Sequence, residues 1–262
     1  MTLSALVNMT NPTEYAATVP FIDIHIMENG TLLGHATARD LHIVPGENNN
    51  LFVTAVYDPL TSGGEEAATV GRELLSQYIS GWNTTITLRM HNGSLPTQPA
   101  LGRALSKFAV EIPTPSLRVP SPPSDPHSPT NPDQDSKPHF IKDATMHLFT
   151  STATFELLSP LRHEILYVTS IDATAYYKGD DVGHIVYDLP FAVPPVDAEG
   201  KGVISPRLPV DWSLDSVGYE AVKRALGGRL KLSAEATVGV RLGQWQEKVW
   251  FKGKGIGASV RL

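Results

Sequence analysis

Nine histidines are the residues of this sequence best suited to chemistry, since a neutral imidazole can bind a transition metal or relay a proton. His25, His35 and His42 fall on neighbouring strand-like segments of the first half, and His91 follows them. Zinc requires three or four convergent ligands, usually with one closely spaced pair. No H-x-x-x-H or H-x-H occurs, so spacing along the chain assigns no metal site. The histidines then read as polar strand positions. Asp58, Asp172, Asp188 and Asp211 can in principle pair for acid–base work, but they stand at strand ends and turns. There is no G-x-S-x-G and no P-loop, and Gly253–Gly257 lacks the spacing and following helix of a dinucleotide fingerprint. The absence of cysteine removes disulfides and thiolate chemistry. No catalytic residue, cofactor or metal ligand is expected.

Four N-x-Ser/Thr triplets start at Asn8, Asn29, Asn83 and Asn92, whereas chance gives about one from so few asparagines. Asn11 and Asn131 precede proline and are not acceptors. The four are candidate N-glycosylation sites, although Asn-Gly at 29–30 and 92–93 also suits tight turns. Trp82, Trp212, Trp245 and Trp250 are scattered and read as packing residues.

With 41% hydrophobic and 18% charged residues the chain is globular rather than disordered. A formal charge of −6 and the lack of a basic cluster argue against nucleic acid as partner. No apolar run approaches the roughly 18 residues of a membrane span. Met1–Asn11 lacks the charged start and apolar centre of a signal peptide.

The elements that must position these residues are strands in two related modules. From Pro113 to Pro138 the chain has nine prolines and only two large apolar residues, Leu117 and Val119. Such a stretch buries too little surface to offset its ordering entropy, so residues 114–137 read as a proline-rich linker. Module 1 is residues 1–113 and module 2 residues 138–262. Gly34-His35 and Gly183-His184 are 149 residues apart, as are Val44-Pro45 and Val193-Pro194. Turns at Asn29-Gly30 and Lys178-Gly179 precede the Gly-His pairs, which marks an internal repeat. Alternation with period two dominates both halves. It places Ile22, Ile24 and Ile26 on a core face, with Phe21, Asp23 and His25 opposite. Val249–Phe251 and Ile256–Leu262 read as separate late strands. One helix interrupts each half, Glu65–Ile79 ending at Gly81, and Val217–Leu226 capped by Ser213. Module 2 has an entry strand in Phe140–Leu158. Module 1 has only ten residues before Asn11-Pro12, so it is expected to lack its opening strand and to leave Phe21–Met27 beside an unpaired edge.

A strand, Asn-Pro, a strand, an Asn-Gly hairpin, a glycine-led strand, a helix and closing strands form a pattern that resembles the LEA2 (late embryogenesis abundant, group 2) domain. Asn11–Gly46 and Gly71–Gly93 resemble the fungal tandem LEA2-like proteins of the vacuolar lumen, relatives of the vacuolar membrane protein that terminates autophagy. The resemblance covers both halves but not the linker, and module 2 carries Ser159-Pro160 in place of Asn-Pro. It implies a mainly β fold of two LEA2-like (immunoglobulin-like/fibronectin-like) antiparallel β-sandwich modules, each with one short helix. It also implies a non-enzymatic role in protein interaction or scaffolding at the vacuolar membrane, in autophagy regulation, with an unknown protein partner. Membrane attachment would come only through a segment absent from this chain. A lipid or other apolar ligand held between the sheets is the second reading.

Overall fold

Period-two alternation becomes strand throughout both halves of the computed structural model. It describes residues 1–114, 140–159, 161, 164–196, 201–213, 220, 223–224 and 230–261. The 114–137 linker, beyond Thr114, and most of the helix expected at Val217–Leu226 lie outside the described residues. Contacts divide the chain into two units, Met1–Leu74 with Thr84–Thr114, and Leu75–Asn83 with Pro115–Leu262.

The first unit runs β1 (Thr2–Asn11), β2 (Ala17–Glu28), β3 (Thr31–Ile43), β4 (Gly46–Tyr57), the part of α1 (Pro59–Ile79) up to Leu74, β5 (Thr85–Met90), α2 (Pro99–Leu105) and β6 (Ala109–Pro113). The strands form one antiparallel sheet in the order β1-β4-β3-β2-β5-β6. Asn29 and Gly30 have φ of 48° and 79°. Two successive positive values make the hairpin loop whose twist matches its strands. β3 and β4 pair only from Gly34–Tyr57 to Thr37–Thr54. Beyond that, β2–β3 and β1–β4 continue as two-stranded ribbons, down to Ala17–Ile43 and Asn11–Gly46. The buried Asn48 side chain ties off the β3–β4 turn: its Oδ1 accepts from Val44 N–H at 2.8 Å, and its Nδ2 donates to Val44 O and Gly46 O.

Helix α1 begins with Asp58, whose carboxylate accepts from Thr61 N–H at 3.4 Å. Gly64, at φ 73° and ψ −160°, kinks it. The regular stretch past the kink is the Glu65–Ile79 helix expected from the sequence, and Gly81 (φ 75°) follows its end. Leu33, Ala38, Tyr57, Ala67, Leu74 and Leu95 are the buried apolar residues. Ile22, Ile24 and Ile26, the expected core row, are only half-buried. Of the expected unpaired edge beside Phe21–Met27, the Ile24–Met27 part is covered. β3 pairs with one side of β2, and β5 with the other from Ile24–Met90 to Met27–Thr87. The strand after α1 returns to β2, so among the described residues the open edges of this sheet belong to β1 and β6.

The second unit contains β7 (Ile141–His147), a 3-10 turn (Leu148–Thr150), β8 (Thr152–Leu157), β9 (Leu166–Tyr177), β10 (Asp180–Tyr187), β11 (Phe191–Val193), β12 (Val203–Ile204), β13 (Leu208–Pro209), β14 (Asp211–Trp212), β15 (Leu230–Leu242) and β16 (Trp245–Arg261). The late strands expected at Val249–Phe251 and Ile256–Leu262 are one continuous strand, β16. The sheet order is β12-β8-β7-β16-β15-β9-β10-β14, with β11 on β9 and β13 on β8. All pairs are antiparallel except β7–β16, which is parallel. Ala153 of β8 shares a buried cluster with Ile185 of β10, although four strands separate them in the sheet. Leu157 of β8 likewise meets Val168 of β9. A single sheet therefore curls around its own core, and the two layers expected of a sandwich are two parts of it.

The repeat survives in this geometry. β2 and β9 start 149 residues apart, at Ala17 and Leu166, and so do β3 and β10, at Thr31 and Asp180. Lys178 and Gly179 repeat the positive-φ pair of Asn29 and Gly30. Where β3 is one strand, its counterpart breaks into β10 and β11 at Pro190, which has no N–H for the ladder.

Candidate functional site

The site begins with a bulge. In the β2–β3 ladder Met27 pairs with Leu32 and Ile26 with Gly34, so Leu33 is one residue too many for its partner strand. That extra residue is fully buried. A one-residue insertion moves every following side chain to the opposite face. His35 thereby comes directly opposite His25, on the face that Asp23 shares by period two. On the other side of β2, Arg89 of β5 pairs with His25 and Met90 with Ile24. His91, next in register, arrives beside Asp23.

Two paired strands and the turn that follows a third thus bring His25, His35 and His91 together. One ligand nitrogen from each lies within 4.8 Å of the others. The His25 and His91 rings stack at 4.2 Å, while His35 stands edge-on to His25 at 5.0 Å. Asp23 lies between two of them, with Oδ1 3.3 Å from His35 Nδ1 and Oδ2 3.4 Å from His91 Nε2. His42, grouped with these by sequence, is elsewhere: its Nδ1 meets Thr18 Oγ1 at 3.0 Å.

The turn after β5 holds His91 in place. His91 N–H donates to the buried Ser94 Oγ at 2.7 Å, and Asp23 N–H donates to Ser94 O at 3.0 Å. Gly93 N–H donates to His91 Nδ1 at 3.1 Å. A neutral ring that accepts at Nδ1 carries its proton on Nε2, the atom that faces Asp23. Burial pushes the His25 imidazole below its usual range, helped by His91, His35 and Arg89 and opposed by Asp23.

The second unit supplies an internal comparison. Val182 is the extra residue of its bulge, between Asp181–Tyr176 and Gly183–Ala175, and it too is buried. His184 Nε2 lies 3.5 Å from Asp172 Oδ1, repeating the Asp23–His35 pair. The place of His25 is taken by Thr174, whose hydroxyl meets His184 Nδ1 at 3.2 Å. Thr237, opposite Asp172, takes the place of His91. The Asp–His pair is thus common to both units, and the additional histidines belong to the first alone.

Of the other aspartates considered for acid–base work, Asp58 starts α1, Asp188 is exposed, and Asp211 pairs with His184 across β10–β14. The four candidate glycosylation sites, Asn8, Asn29, Asn83 and Asn92, are all exposed. Asn92 lies in the turn that holds His91. Trp212 packs in the core of the second unit, while Trp82 stays exposed, edge-on to Trp250 at 5.3 Å.

A second feature is the free edge of β1. Its ten residues, TLSALVNMTN, hold no charge and no proline. Leu3, Leu6, Val7 and Met9 are exposed, as is Phe52 opposite Leu6 on β4. Among the described residues no helix is long and apolar enough to cross a membrane.

Residues 1–103 match the family model of the Tag1-like fourth LEA-2 like domain, and residues 133–250 match that of the Tag1-like fifth LEA-2 like domain. No curated protein matches the chain.

Proposed function

We propose that this chain, two LEA-2-like domains in tandem, is a non-enzymatic module that binds a protein partner through the open edge of β1. The observation that carries this reading is that edge. Natural sheets guard exposed edges with lysine, proline or inward-facing charge, because a free row of N–H and C=O groups pairs with any passing strand. β1 has none of these guards, and it exposes four large apolar side chains. The fitting occupant is an extended, uncharged segment of another protein, added as a further strand: main-chain hydrogen bonds supply affinity and Leu6 with Phe52 an apolar contact. The exposed sequons at Asn29, Asn83 and Asn92 support a place outside the cytosol, on the lumenal side of the vacuolar membrane, while Asn8, on β1 itself, must stay bare for a strand to add there. The vacuolar and autophagy context rests on the resemblance to the fungal tandem proteins.

The test places a photo-crosslinking residue at Leu3 of the chain secreted from a eukaryotic host, with a control at Val110 on β6, the opposite edge. Crosslinking to one protein from Leu3 but not Val110, abolished by Leu6→Lys with Met9→Lys, is the expected result. Equal crosslinking from both edges, or indifference to the lysines, refutes the edge reading. A stoichiometric lipid-sized adduct in native mass spectrometry would replace it with the apolar-ligand reading.

A further inference from the structure

We propose that His25, His35 and His91 form a binding site for one divalent transition-metal ion of the zinc or copper class. The donor set is entirely imidazole, which suits zinc, copper and nickel and disfavours magnesium and calcium. His25 and His35 stand opposite each other on paired strands, and His91 follows β5 in a turn tied down by Ser94, so the backbone positions the rings before any ion arrives. Their ligand nitrogens lie within 4.8 Å of one another. A tetrahedral ion with bonds of about 2.0–2.1 Å spaces its nitrogens by roughly 3.3 Å. Rotation of the rings about their terminal torsions, opening the His25–His91 stack, covers that difference.

Asp23 supports the site as an outer carboxylate. By accepting from His35 Nδ1 it leaves His35 Nε2 as the ligating atom and fixes that ring's orientation. His91 joins at a cost: ligation through Nε2 puts its proton on Nδ1 and ends the hydrogen bond from Gly93, and ligation through Nδ1 displaces the same donor. The ion's affinity is accordingly moderate, with His25 and His35 as its first holders. The His35 side chain is 37% exposed, so the fourth position opens to solvent.

The second unit argues that these histidines are not merely scaffolding. The same strands, the same bulge and the same Asp–His pair stand there with Thr174 and Thr237 where the first unit has His25 and His91. The fold is satisfied without the two extra rings.

The experiment titrates the full chain, purified without a histidine tag, with zinc chloride alone by calorimetry, and with Co2+ by visible absorption. One ion per chain is expected, with a nitrogen-ligand Co2+ spectrum. His25→Thr and His91→Thr each place at one position the residue that the second unit carries there, and together they convert the site to that counterpart. His25→Thr should weaken the ion by at least about 100-fold, and Asp23→Asn by about 10-fold. His184→Gln should leave it unchanged. Absence of a saturable ion overturns the proposal. So does binding that survives His25→Thr, or that falls equally with His184→Gln, provided circular dichroism shows each variant folded.

Discussion

Gly34→Ala tests the close approach on which the site-bearing ladder depends. A Cβ at Gly34 would lie 2.0 Å from Val56 O, 3.0 Å from Val56 C and 3.1 Å from Tyr57 Cα. All three are backbone atoms of β4, so no side chain can swing aside. Relief requires β3 and β4 to part, and only four residue pairs join them. Loss of two or three of those hydrogen bonds, at about 1 kcal/mol each, adds to an overpacking cost of about 1–3 kcal/mol. The stiffer unfolded chain returns about 0.4–1 kcal/mol. The net expectation is a loss of about 2–6 kcal/mol. Gly183, its counterpart, is a control inside the same chain. There a Cβ would meet side-chain atoms, Trp212 Cε3 at 3.1 Å and Val210 Cγ1 at 3.2 Å, which need yield only a few tenths of an ångström. About 1 kcal/mol or less is expected for Gly183→Ala. Amide exchange read by mass spectrometry separates the two units, since peptides covering 31–57 and 180–212 report their own opening free energies. Gly34→Ala within about 1 kcal/mol of the parent, or costing less than Gly183→Ala, would refute the steric reasoning.

Asn48→Ala removes three hydrogen bonds at the β3–β4 turn and leaves Val44 N–H without its side-chain acceptor, so urea denaturation should show a loss of about 1–3 kcal/mol. Glu28 has its carboxyl pushed above the usual 4.5, by burial first and by Glu111 second. Between the unfolded and folded values the folded state holds more protons, so stability falls as pH rises through that interval and the deficit persists at neutral pH. Glu28→Gln should raise the urea midpoint at pH 7 and leave it unchanged where both states are protonated; a lower midpoint at pH 7 would contradict the assignment.

What the sequence makes legible here is local. Asn29-Gly30 specifies its hairpin because both residues tolerate positive φ, and the pair at Lys178-Gly179 repeats it 149 residues later. Gly64 and Gly81 bracket the regular part of α1 because each takes a conformation that helix does not. Helix α2 escapes because seven residues, opening on Pro99 and holding Gly102, show no period to read. The curled sheet of the second unit escapes for another reason. Alternation tells which way a side chain points, but not which strand lies beside it, so the parallel β7–β16 pair and the contact between β8 and β10 have no signature in the chain.

The histidine cluster follows the same division. A rule based on close spacing along the chain passes over residues 25, 35 and 91, since ligands on two strands and a turn beyond a third need no short interval at all. Two facts place them. The two-residue loop at Asn29-Gly30 folds β3 back on β2, and alone it would set Gly34 opposite His25 and turn His35 to the Ile24 face. The bulge at Leu33 restores His35 to the side of Asp23 and His25. Its sequence signal is faint but repeated: an apolar residue out of phase, just before Gly-His, at Leu33 and again at Val182, each buried. An extra residue that sinks into the core twice, at equivalent places, is a device for aiming the next side chains outward. In the second unit it aims a single histidine at an aspartate. In the first it aims one histidine into a cluster of three, and the added chemistry lies in what His25 and His91 contribute to that inherited geometry.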